Sequence, residues 1–199
     1  MKRSKTKQFG LRVSLVMVLF ALLVIVTGWS NRQKAQASPE CSADCQRQLV
    51  LAMMATAQYH DESKALADGF VSTIDCVEAP GLGVMGIHYV NFPRTFDINV
   101  NVTQPEALLY IPQNGTKRLV GMEYIAPVLS DGAPWFGGPT QPPPTIDNPA
   151  PVLFGQTFEG PMPGHTPGQP WHYDLHVWAW RNNPSGLFFE FNPQLTCGQ

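Results

Sequence analysis

Apolar and polar residues follow two rhythms along this chain. From about Ala43 to Asp68 the period is helical: Leu49, Met53, Thr56 and then Tyr59 or His60 fall at helical spacing, alanine is frequent, and neither proline nor glycine intervenes. Ser42 stands where an N-cap belongs, and Gly69 where a helix-ending residue belongs. After Gly69 the period drops to two. Phe70–Val77 and Val84–Phe92, rich in β-branched and aromatic residues, predict strands. Glu106–Ile111 and Lys117–Ile125 predict a hairpin that turns at Asn114-Gly115. Trp171–Arg181 and Leu187–Asn192 predict a second hairpin, turning around Asn183-Pro184-Ser185-Gly186.

Between Pro127 and Pro170 the pattern breaks down, because twelve of the nineteen prolines lie there with several glycines. Proline has no backbone N–H to give to a ladder, so this stretch cannot be central sheet throughout. One short strand over Val152–Phe158 is expected inside it, and Trp135, Phe136, Phe154 and Phe158 should hold the rest against the domain. The expected fold class is α+β. One N-terminal helix packs on an antiparallel sheet of about five or six strands, with a long Pro/Gly-rich loop.

The beginning of the chain changes how its charge is read. Lys2, Arg3, Lys5, Lys7 and Arg12 precede an apolar run from Val13 to Trp29, and a polar stretch then reaches Ala35-Gln36-Ala37. Basic region, apolar region and small-x-small site are the order of a secretory signal peptide, with cleavage expected after Ala37. An uncleaved N-terminal membrane anchor over residues 13–29 is the alternative. The domain division is therefore 1–37 signal peptide or anchor, and 38–199 a single exported domain, periplasmic or extracellular. Seven of the thirteen basic residues and none of the fifteen acidic ones lie in residues 1–37, which leaves 38–199 with a formal charge of −9. Such a chain repels phosphate backbones, so no nucleic-acid partner is expected, and any membrane contact is through the N-terminal segment. A small molecule or a cell-envelope component is the remaining class of ligand.

All four cysteines, Cys41, Cys45, Cys76 and Cys197, follow the leader. Export places them where disulfides persist, and four cysteines allow three connectivities. Cys76–Cys197 with Cys41–Cys45 is the favoured set. The second pair requires Cys41 to lie ahead of the helix, since an i,i+4 pair within a regular helix is held too far apart.

The segment with most chemistry is His172-Tyr-Asp-Leu-His-Val-Trp-Ala-Trp180. On a strand, His172, Asp174, His176, Trp178 and Trp180 share one face. His88 and Glu123 sit on other expected strands among apolar neighbours, where an unpartnered polar group is costly. His88, His172 and His176 with Glu123 or Asp174 are candidate metal ligands, and imidazole with carboxylate suits zinc, copper or iron. His165, in Pro-Gly-His-Thr-Pro-Gly, could swing in from the loop as a further ligand. His172 and His176 lie about 13 Å apart along a straight strand at ~3.3 Å per residue, so one of the two, His176, is expected to join His88 and a carboxylate. The competing reading is a hydrogen-bonded network of satisfied buried side chains with no cofactor. No catalytic residue is assigned; an enzyme built on this site would carry out metal-assisted hydrolysis or oxygen chemistry. A third reading is a non-catalytic envelope binding module, in which Trp135, Phe136, Trp171, Trp178 and Trp180 form a platform for sugar or peptide. A purely structural envelope protein completes the set.

The strings CVE, MGIHYVN, EALLY, LVGMEY, LFGQTFEGPMPGH and HYDLHVWAWRNNPSG with a near-terminal cysteine, spanning roughly Leu49 to Cys197, resemble a family of uncharacterised exported bacterial proteins. The resemblance implies export and a single domain, and supplies no activity and no catalytic residue.

Overall fold

Ser42 starts the first helix as expected: its Oγ accepts from the Cys45 N–H at 3.2 Å, and helix α1 runs Ala43–Thr56. The structure, a computed structural model, describes residues 41–198 apart from Ile74; the basic and apolar leader, with its signal or anchor reading, lies outside them. The helix does not continue to Asp68. Thr56 turns its hydroxyl back onto the Ala52 carbonyl at 2.8 Å, a 3-10 turn follows over Ala57–His60, and Asp61 caps a new helix, α2 (Glu62–Ala67), by accepting from Ser63 N–H at 3.0 Å. Asp61 competes for the backbone and wins there over helical periodicity. Gly69, at φ +85°, then reverses the chain.

The strands are β1 (Val71–Ser72), β2 (Val77–Ala79), β3 (Gly83–Val90), β4 (Ala107–Gln113), β5 (Thr116–Pro127), β6 (Leu129–Ser130), β7 (Ala133–Pro134), β8 (Val152–Leu153), β9 (Gln156–Thr157), β10 (Glu159–Met162) and β11 (His172–Val177). One antiparallel sheet of seven strands has the order β1-β3-β4-β5-β11-β10, with β2 also pairing β3. β6–β7 and β8–β9 are two small ribbons. The class is α+β, with the β4–β5 hairpin turning at Asn114 and Gly115, both at positive φ.

Three strand expectations are corrected. Phe70–Val77 divides into β1 and β2. Val152–Phe158 is a tight hairpin rather than one strand, because Phe154 and Gly155 both adopt positive φ. Leu187–Asn192 does not pair with β11, whose partners are β5 and β10. The Asn183 side chain donates to the carbonyls of Phe189 and Phe191 at 3.1 and 3.0 Å, satisfying groups that a hairpin ladder would have used, and only an isolated bridge joins Asn192 to Val84.

Disulfides join Cys41 to Cys45 and Cys76 to Cys197. Cys41 stands ahead of the N-cap, which lets its Cα approach that of Cys45 to 5.2 Å. Among the described residues no helix is long and apolar enough to cross a membrane.

Each face of the sheet has its own core. On one, Ile87, Tyr89, Leu108, Tyr110, Met122, Tyr124, Tyr173, Leu175 and Val177 bury against the helical segment, through Cys45, Ala52, Tyr59 and Ala65, and against Phe154, Phe158 and Trp171. The other carries two apolar clusters, Val84–Leu109–Ile111–Val120–Trp178–Leu195 and Val90–Ala107–Ile125. Polar side chains fill the space on this second face.

Candidate metal centre

Register assembles the polar group. His176 on β11 lies opposite Glu123 on β5, which lies opposite Ala107 on β4, which lies opposite Val90 on β3. His88, two residues before Val90, therefore shares a face with Glu123 but is two strands away. The small Ala107 side chain lies between, and leaves room for the imidazole to reach across β4. Gly121 keeps the neighbouring position bare, since a Cβ there would stand 2.6 Å from the Val177 carbonyl. The result is His88 Nε2 at 3.6 Å from Glu123 Oε2, and His176 Nε2 at 3.9 Å from Glu123 Oε1, with the two imidazole centroids 5.8 Å apart. All three side chains are buried, at 4%, 2% and 2% exposure for His88, Glu123 and His176.

His172 and Asp174 are buried beside them but belong to a second cluster. His172 Nε2 is 4.0 Å from Asp174 Oδ2, and its ring meets the exposed ring of His165 edge-on at 4.9 Å. The His172 Nδ1 lies 3.1 Å from the Pro170 carbonyl. A carbonyl only accepts, so Nδ1 carries the proton and Nε2 presents a lone pair. The Asp174 carboxyl acts on Glu123 through its charge, so the two clusters adjoin.

A satisfied network is not what these contacts make. His88 Nδ1 and Nε2, His172 Nε2, His176 Nε2 and Asp174 Oδ1 are buried without a hydrogen-bond partner. Each such orphan costs about 1–3 kcal/mol. The gaps are informative: the His–carboxyl separations of 3.6, 3.9 and 4.0 Å are too long for hydrogen bonds, and two bonds of ~2.0–2.2 Å to one ion bring donor atoms to roughly 3–4 Å. In each of the sets His88–Glu123–His176 and His165–His172–Asp174, one donor atom per residue can be chosen so that all lie within 4.8 Å of one another. Either set could hold a metal ion.

The electrostatics leave the donors ready. Burial pushes His88 and His172 down to about 4, with the His165 imidazole adding to it. Burial and the neighbouring His88 hold His176 well below the usual range. The imidazoles are therefore neutral at pH 7, the form that binds metal. Burial raises Glu123 well above the carboxylate range, with Asp174 and Glu106 adding to it, and raises Asp174 to about 7. The close His88–Glu123 approach is thus not an ion pair in the metal-free protein.

The cavity at this point has a volume of about 10 Å³, and Thr73, His88, Glu123, His165, Thr166 and Gln169 supply its polar lining. That is room for roughly one water molecule or ion. The loop closes it: the Gln169 side chain accepts from the His165 N–H at 2.9 Å, and the Gln169 N–H donates to the Thr166 carbonyl at 3.1 Å.

Only one of the two tryptophans stays on the His face. β11 ends at Val177; Trp178 still packs on that face, beside Leu109 and Val120, whereas Trp180 leaves it for the other core. Trp178 donates to the Phe189 carbonyl at 2.7 Å in another cluster, and Trp180 reaches Thr56 Oγ1 on helix α1. Nor is there one aromatic platform: Trp171 and Trp135 pack in one cluster, Trp178 in another, and Phe136 stands exposed at 57%. Sequence reasoning missed Glu106, a buried carboxyl whose Oε2 accepts from the Ile125 N–H at 2.9 Å. Its place at the head of an apolar strand, Glu-Ala-Leu-Leu-Tyr, is the signal that marks it.

Fold and site together define an α+β protein with a buried histidine–carboxylate centre able to hold a cation. Comparison with known protein families, curated proteins and solved structures finds no match.

Proposed function

We propose that this is an exported metal-binding protein whose His88, Glu123 and His176 hold a divalent transition metal. The observation that carries the reading is the set of buried imidazole nitrogens left without partners around one buried carboxyl. Two imidazoles and one carboxylate suit zinc, copper or iron. An ion there would supply Lewis-acid or redox chemistry, and the chain's own part is to hold three donors on three strands of one sheet and to exclude bulk water with the Pro/Gly-rich loop. The cavity accommodates an ion and not an organic ligand. Export rests on the basic-apolar leader of residues 1–37 and agrees with two disulfides, which persist outside the cytoplasm. The family resemblance in the sequence supports the same location.

Elemental analysis of protein purified without tag or chelator tests the reading. Stoichiometric zinc, copper or iron is expected, and His88→Ala or His176→Ala should each remove one equivalent while circular dichroism is unchanged. Protein that carries no metal and takes up none of the three would return the histidines to a structural role.

A further inference from the structure

We infer that His165, His172 and Asp174 form a second cation site, so that the loaded protein holds two ions side by side, with His165 the ligand through which the second ion enters. The inference rests on the metal reading of the first cluster and adds an ion to it.

Geometry divides the strand donors between two carboxyls, while His165 stands at the cavity that His88 and Glu123 also line. His172 and His176 are four residues apart on a strand whose pairing with β5 runs without a break from His172 to Val177. At ~3.3 Å per residue they are about 13 Å apart, and their Nε2 atoms turn to different carboxyls, Asp174 and Glu123. A single ion held by Glu123 and His176 leaves the His172 Nε2 and the Asp174 Oδ1 unpartnered, though both residues are at most 1% exposed. The Pro170 carbonyl fixes the His172 ring in the tautomer that offers Nε2. His165 completes the set from the solvent side, on a loop held through Gln169.

Stripped wild-type protein is titrated with zinc, and with cobalt(II) as an optical probe, and bound metal is counted after dialysis. Two equivalents are expected for wild type, one for His165→Ala, one for His88→Ala and none for the double variant. His165 is exposed, so the comparison of wild type with His165→Ala decides without a folding question. Wild type saturating at one equivalent, lost in His88→Ala, overturns the second site and leaves the first standing. Two equivalents retained in His165→Ala also overturns it. Wild type binding no metal overturns both readings.

Discussion

Glu106 offers a clean measure of what burial does beside this site. Its carboxyl is 3% exposed, and burial pushes it from its ordinary 4.5 to about 8, against the pull of the Ile125 N–H and the Arg94 charge. The folded protein therefore keeps the proton while the unfolded chain releases it near pH 4.5. A raised folded value means stability that is fully present below the unfolded pKa and lost as pH rises through the folded one. A shift of this size at ~1.4 kcal/mol per unit is about 5 kcal/mol, accumulated between pH 4.5 and 8. Glu106→Gln keeps an oxygen for the Ile125 N–H and removes the charge. In urea unfolding of metal-stripped protein from pH 4 to 9, the variant should match wild type in acid, gain on it by ~1.4 kcal/mol per pH unit between 4.5 and 8, and hold that gain above. Curves that stay parallel from pH 5 to 9 would show that Glu106 is ionised in the fold and compensated there, and the argument from burial would fail.

Zinc uptake at pH 6.5 should release at least one proton per molecule, since Asp174 is held near 7 and Glu123 well above the usual range; calorimetric heats that do not vary with buffer would contradict this. Replacing Cys76 and Cys197 by serine opens a 121-residue separation and should cost about 4–5 kcal/mol, so an unchanged urea midpoint would count against it. Gly121→Ala places a Cβ 2.6 Å from the Val177 carbonyl, and should cost ~1–3 kcal/mol and weaken zinc binding at His176 by parting β5 from β11. Thermal unfolding with a zinc titration checks both, and no change in either would mean that the strands yield freely.

How far the sequence could be read varies from element to element. Ser42 and the Asn114-Gly115 turn are local chemistry, and both stand where the residues predict. The second hairpin was not legible because it depends on where Asn183 sends its amide, a choice made across six to eight residues. Of the two tryptophans after Val177, Trp178 keeps the alternation and Trp180 does not, because the chain abandons it when Trp180 N–H pairs with the Val120 carbonyl. For the site, the residue types were visible, but the His88–Glu123 approach depends on register through three strands and on the small Ala107 between them. The grouping of His165 with His172 depends on a Pro/Gly-rich loop whose path no periodicity describes.

The sheet's two borders bear on how the protein behaves in company. β1 is two residues long, and β10 reads Glu-Gly-Pro-Met with its first three residues exposed. A neighbouring chain seeking to extend the sheet at β10 meets a charge, a residue with no side chain, and a proline that cannot donate. At the other border β1 and β2, two and three residues long, offer too few groups to hold. Self-association by strand addition, the usual hazard of a strand-rich fold rich in valine and aromatic residues, is thereby blocked at both borders. The polar interior of the sheet can carry costly unpartnered groups without a sticky margin adding to the risk.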